Sequence, residues 1–141
     1  MKTGKIRILV LCTANSCRSQ MAEGFFRHYG AGRVNVFSAG LEPNGVNSRA
    51  VQTMREVGID ISGHTSDHLS KYMQQSFDYV ITVCDNAAKN CPVFSGQGTR
   101  LHWPFDDPAE ATGTDEQVLA VFRRVRDEIG AKIEAWLAEH E

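Results

Sequence analysis

The chain has 141 residues, 42% hydrophobic and 23% charged, with a formal net charge of −2. That length suits one globular domain over residues 1–141, able to bury roughly 68–70% of its unfolded surface around a single core. The slight negative charge argues against a nucleic-acid or acidic-membrane partner, and the run of about six apolar residues after Lys2 and Lys5 is too short for a signal peptide or a membrane span. The protein is therefore read as cytoplasmic, and a monomer is expected. In a reducing compartment its four cysteines point to catalysis, redox chemistry or metal binding before structural disulfides.

Residues 6–11 (Ile-Arg-Ile-Leu-Val-Leu) read as a buried parallel strand, and Met21, Ala22, Phe25, Phe26 and Tyr29 recur at helical spacing. Between them, Cys12, Thr13, Ala14, Asn15, Ser16, Cys17, Arg18 and Ser19 form a strand-to-helix loop. Such a loop presents unpaired backbone N–H groups beside the positive end of the helix dipole, which makes it a cradle for an anion. Arg18 can close the cradle with two hydrogen bonds to a tetrahedral oxyanion. Cys12 at its mouth is expected to be held as the thiolate by the dipole and by Arg18. Ser19 is positioned either to bond the Cys12 sulfur or to cap the helix.

A second strand is expected over residues 33–38, followed by a turn around Pro43, Asn44 and Gly45. Asn47 or Ser48 can cap a helix carrying Ala50, Val51, Met54 and Val57 that stops at Gly58. Residues 59–63 read as an extended connection, 64–75 as a further short helix, 77–83 as the third strand and 99–103 as a fourth. In the last helix, Val118, Phe122, Val125, Ile129, Ile133 and Trp136 form one apolar stripe. Its Arg123, Arg124, Arg126, Asp127 and Glu128 read as a solvated face. Strands alternating with helices imply an α/β domain of three layers (αβα) around a four-stranded, doubly wound parallel sheet. Ligands then bind at the carboxyl ends of the strands, where the Cys12 loop lies.

Two more stretches fall on that rim. Cys84 and Cys91 flank residues 85–90; if these are helical, seven steps of about 1.5 Å leave the Cα atoms roughly 10 Å apart, against less than about 7 Å for a disulfide. A redox pair that bonds only after rearrangement, a static disulfide and two unrelated buried thiols all fit that spacing, whereas a zinc site lacks ligands. After the fourth strand comes Trp103-Pro104-Phe105-Asp106-Asp107-Pro108. Asp107, restricted by the following proline and set among aromatic residues, suits a general acid, although Asp-Asp-Pro is equally good as a turn.

The run Cys12-Thr-Ala-Asn-Ser-Cys-Arg-Ser-Gln-Met-Ala-Glu, the pair Cys84 and Cys91-Pro92, and His102-Trp103 through Asp107-Pro108 together resemble the thioredoxin-coupled arsenate reductases, which share the low-molecular-weight protein tyrosine phosphatase fold. The resemblance covers nearly the whole chain. It implies that arsenate sits in the 12–19 loop, that Cys12 attacks arsenic and that Asp107 protonates the departing hydroxyl. Cys84 would then attack Cys12 and release arsenite, Cys91 would take over the disulfide, and thioredoxin would reduce it. Cys17 has no part in that relay and reads as a loop-packing residue. Some members bind potassium through a set that here is Asn15, Glu23, Ser38 and Asp67; hard oxygens suit such a cation, and a hydrogen-bonded brace for the loop is the equal alternative. No tightly bound cofactor is otherwise implied.

The second reading is a low-molecular-weight tyrosine phosphatase, since thiolate, arginine and aspartic acid serve phosphate esters equally well. Against it, Ala109-Glu110-Ala111 follow the Asp-Pro pair where phosphatases of this fold carry tyrosines, and Cys84 and Cys91 would be idle. Weak phosphatase side activity is compatible with the first reading. A non-enzymatic redox or metalloid sensor would leave Asp107 and Arg18 unused. Glutaredoxin or a small thiol serves some relatives as reductant, but the Cys84 and Cys91 pair favours thioredoxin.

Overall fold

The protein is described here by a computed structural model in which residues 5–91 and 98–140 are defined. Four parallel strands, β1 (Ile6–Cys12), β2 (Val34–Gly40), β3 (Tyr79–Thr82) and β4 (Thr99–His102), lie in the order β2-β1-β3-β4. β1 is central because it is the longest purely aliphatic run: Ile8 to Val10 are 0% exposed, which only a strand covered on both faces achieves. It pairs with β2 from Ile6↔Val34 to Cys12↔Gly40 and with β3 from Ile8↔Tyr79 to Leu11↔Thr82. The strand ends carrying Cys12, Gly40, Thr82 and His102 therefore share one rim.

Helices α1 (Arg18–Tyr29), α2 (Ser48–Arg55), α3 (Asp85–Lys89) and α4 (Asp115–Glu139) flank the sheet. The stripe anticipated on α4 is buried from Val118 to Trp136, and Thr114 with Gln117 forms a capping box at its start. Asn47 caps α2 by accepting from the Arg49 and Ala50 N–H groups. The doubly wound α/β architecture expected from the sequence is the one found.

Several local expectations need correction. The helix expected over 64–75 is a single 3-10 turn, Leu69–Tyr72. The residues before it are extended because their backbone is used elsewhere: the Asp67 N–H donates to Asn15 Oδ1, and its carbonyl accepts from Gly40 N–H. α2 ends at Arg55, and Val57, expected on its apolar face, is 41% exposed in a turn closed by Gly58 at φ +80°. β3 (Tyr79–Thr82) and β4 (Thr99–His102) are shorter than the expected 77–83 and 99–103. Arg126 does not belong to a solvated face: it is buried and donates to the Thr53 carbonyl at 3.0 Å and to Glu56 Oε1 at 2.8 Å, which fastens α4 to α2. Its long aliphatic stem packs while its guanidinium finds partners, so the charge alone was a poor guide.

Candidate active site

The loop between β1 and α1 is built around Asn15, which is fully buried and adopts φ 48°, a left-handed conformation that asparagine tolerates better than most residues. That turn aims the Asn15 N–H at Cys12 Sγ, 3.2 Å away. The Asn15 side chain is oriented without ambiguity, because its Oδ1 accepts from Asp67 N–H at 2.8 Å. Nδ2 consequently donates to Ser19 Oγ at 2.8 Å and to Ser38 Oγ at 3.0 Å.

Directions follow along the chain of contacts. Ser38 donates to Glu23 Oε1 at 2.6 Å and so must accept from Asn15. Ser19, also an acceptor from Asn15, keeps its own proton for Cys12 Sγ, 2.9 Å away. The buried Glu23 carboxylate, itself held by Arg27 at 2.8 Å, thus fixes the polarity of a network ending in a hydroxyl donor aimed at Cys12 Sγ. Of the two roles open to Ser19, bonding the sulfur is the one adopted; the N-cap position of α1 is Cys17, which makes no side-chain cap. Gln20 and Ser66, which sequence reading missed, secure the loop from behind by donating to the Asn15 carbonyl, each at 3.0 Å. A glutamine in a first helical turn and a serine in a polar segment carry no signal of that role.

Ahead of the loop lies a cavity of about 140 Å3 lined by Cys12, Ala14, Ser16, Cys17, Arg18, Asn44, Asn47, Asp107 and Ala109. A larger hollow of about 300 Å3 beside β2, lined by residues such as Lys5, Arg27 and Phe37, holds no thiol or carboxylate. Arg18 donates to the Phe105 carbonyl at 3.1 Å and its Nη2 stands 3.4 Å from Asp107 Oδ2. The neighbour of Asp107 is therefore a guanidinium, not the aromatic enclosure expected, and Asp107 Oδ1 also accepts from Ala109 N–H at 3.0 Å. Cys17 faces the same cavity, but burial pushes its thiol up to about 12, so it stays protonated and inert.

Cys84 caps α3 with its sulfur, which accepts from Ala87 N–H at 3.4 Å and lies 3.4 Å from the Thr13 hydroxyl of the loop. It is buried, and the helical segment anticipated between Cys84 and Cys91 is present as α3. No disulfide joins the cysteines, and burial raises the Cys91 thiol above its ordinary value. Pro92 lies outside the described residues.

The four residues considered for potassium are brought together, but not as a cation cage. Asn15 turns its N–H2 toward Ser38, Glu23 is already neutralised by Arg27, and the Asp67 carboxylate accepts from Thr65 at 2.7 Å and faces Lys71 at 3.5 Å. A cation would need oxygens converging where donors now point, so this arrangement fits the bracing alternative and no step is routed through potassium.

A sequence model of the low molecular weight phosphotyrosine protein phosphatases matches residues 7–141. The chain belongs to that family. Within it, an arsenate reductase of Halalkalibacterium halodurans is 54% identical over 129 residues, 92% of this chain and 93% of the relative. An arsenate reductase of Bacillus subtilis is 51% identical over 126 residues, covering 89% and 91%. Among solved structures, an arsenate reductase in its phosphate-binding state superposes with a TM-score of 0.81 at 40% identity, covering 95% and 98%. Cys12 and Arg18 of the Cys-x5-Arg loop line the 140 Å3 cavity together with Asp107. Among the described residues no helix is long and apolar enough to cross a membrane.

Proposed function

We propose that this chain reduces arsenate to arsenite, with Cys12 as nucleophile and Cys84 and Cys91 carrying the oxidising equivalents to thioredoxin. The observation that carries the reading is Cys84, buried with its sulfur 3.4 Å from a loop hydroxyl and separated from Cys91 by a short helix. Hydrolysis of a phosphate ester has no use for that pair. The arsenate reductases among its relatives point to the same substrate.

Arsenate enters the cavity and takes its hydrogen bonds from the loop N–H groups and from Arg18, which exchanges the Phe105 carbonyl and Asp107 for the oxyanion. The Cys12 thiolate, supported by Ser19 and the Asn15 N–H, attacks arsenic, and Asp107 gives a proton to the departing hydroxyl, which leaves as water. The Cys84 thiolate then attacks Cys12 Sγ; the sulfur–arsenic bond breaks, its electron pair stays on arsenic, and arsenite departs from a Cys12–Cys84 disulfide. Cys91 attacks Cys84 next and returns Cys12 as a thiolate. Because α3 stands between Cys84 and Cys91, this attack awaits a rearrangement of that helix, and burial, which raises the Cys91 thiol above its ordinary value, favours the same order. Two electrons from the thioredoxin dithiol close the cycle.

The test is NADPH oxidation by thioredoxin reductase and thioredoxin with this protein, with and without arsenate, beside hydrolysis of p-nitrophenyl phosphate. Arsenate-dependent turnover that disappears in Cys84→Ser supports the reductase. Strong hydrolysis without any arsenate response overturns it in favour of the phosphatase, for which Arg18 and Asp107 are equally well suited.

A further inference from the structure

Cys84 is the pivot of the proposed relay, and the residue after it makes a contact for which the relay has no role. Asp85 opens α3, and its Oδ1 stands 3.0 Å from Nε2 of His102 at the end of β4. The other ring nitrogen, Nδ1, lies 2.8 Å from the Thr82 hydroxyl at the end of β3. The imidazole is thus fixed at both edges, and the first turn of α3 is tied to the carboxyl ends of two strands. The cap on Ala87 uses the reacting sulfur itself, and Asn86 donates to Thr13 in the loop at 3.0 Å. The Asp85 contact differs from both because it runs to the sheet and involves neither the sulfur nor the loop.

The helical path between Cys84 and Cys91 is incompatible with a bond between them, since a helix rising about 1.5 Å per residue keeps them roughly 10 Å apart, where a disulfide needs Cα atoms within about 7 Å. Formation of the second disulfide therefore takes α3 off its helical path, beginning beside Cys84, where Asp85 is held. We propose that His102 is a positioning residue that acts through Asp85: the pair latches α3 in the dithiol state, keeps Cys84 against the 12–19 loop, and releases when Cys91 draws Cys84 away. The latch rests on the relay reading above. It stabilises the dithiol form relative to the disulfide, so its loss displaces the Cys84/Cys91 couple toward the oxidised side.

The experiment equilibrates the full-length protein in glutathione buffers of stepped ratio, where oxidised glutathione takes two electrons and two protons from the pair to give the disulfide and two reduced glutathiones. Differential alkylation with peptide mapping reads the Cys84–Cys91 bond by itself. His102→Ala and Asp85→Ala are each expected to shift the equilibrium constant toward the disulfide about threefold, the scale of an exposed charged hydrogen bond, which is about 14 mV at 29.6 mV per tenfold. The double variant is expected to show the same shift and not its square, because one contact is lost in all three. Asp85 is 83% exposed on its side chain, so Asp85→Ala leaves the fold intact and carries the test even if His102→Ala loses structure by circular dichroism. Unchanged constants in the single variants, or shifts that multiply in the double one, overturn the latch while wild-type arsenate turnover leaves the relay standing. If wild type forms no Cys84–Cys91 disulfide at any ratio, relay and latch fall together.

Discussion

Asn15 shows how much one side chain can decide. Its left-handed backbone, its buried amide and its two N–H bonds convert a run of small residues into a loop with a hydroxyl aimed at Cys12. Ser19 is the end of that arrangement, and a hydrogen bond to a charged group is worth about 1.5–3 kcal/mol. Ser19→Ala is accordingly expected to lower kcat/KM for arsenate about ten- to a hundredfold while inhibition by phosphate persists, as steady-state kinetics with phosphate as competitor will measure. Asp107 presents the opposite profile. As general acid its loss in Asp107→Asn should reduce kcat by about a hundredfold or more. Yet the substitution also removes a negative charge 3.4 Å from Arg18, so phosphate should inhibit more tightly than in wild type. A parallel loss of phosphate affinity would assign Asp107 to shaping the cavity instead.

At the scale of elements, the end of β2 is pressed against the 12–19 loop. A Cβ on Gly40 would stand 2.6 Å from the Thr13 carbonyl oxygen and 2.9 Å from the Asn15 nitrogen, and both are backbone atoms that cannot swing aside. Gly40→Ala is therefore expected to destabilise the protein by about 1–3 kcal/mol, and to depress turnover beyond what the lost stability explains, because the displaced atoms carry the Asn15 N–H bonded to Cys12. Thermal melting and arsenate kinetics on the same preparation separate the two effects. The long α4 contributes differently: its apolar stripe is buried, and the buried Arg126 joins it to the Thr53 carbonyl of α2 and to Glu56, the residue that follows that helix.

For the whole molecule, the pH dependence of stability is set partly behind the loop. His64 Nδ1 faces Gln20 Oε1 at 3.0 Å; the Gln20 amide nitrogen is already donating to the Asn15 and Thr65 carbonyls, so the imidazole is the donor at Nδ1. Burial holds the His64 pKa below its ordinary value of 6.5, with nearby Glu23 opposing and Arg27 reinforcing the shift. A group whose folded pKa is depressed binds more protons when unfolded, so stability rises with pH across the window and is lost as pH falls below about 6.5. Melting temperature is expected to drop between pH 7 and pH 5 in wild type and to drop less in His64→Gln, which keeps a donor to Gln20 without a titrating ring. Glu56, lowered first by its hydrogen bonds to Arg123, acts in a separate window, losing its contribution only as pH falls below its ordinary 4.5. Equal slopes for the two proteins above pH 5 would remove His64 from the account.

The sequence by itself determined the parallel sheet, the position of the 12–19 loop at a strand's carboxyl end and the α4 stripe, and it singled out Cys12, Arg18, Cys84, Cys91 and Asp107 as the residues proposed to carry the chemistry. These are local properties: period, residue type and the order of strand, loop and helix. Only the tertiary structure decided that residues 64–75 spend their backbone on Asn15 and Gly40 instead of on a helix, that Arg126 is buried, and that Arg18 is the neighbour of Asp107. The same holds for the meeting of Thr13 with Cys84 and of Asp85 with His102, contacts between residues 71 and 17 positions apart. No periodicity encodes which distant side chain receives a given hydrogen bond; that follows from the register β1 takes with β2 and β3 once they pack.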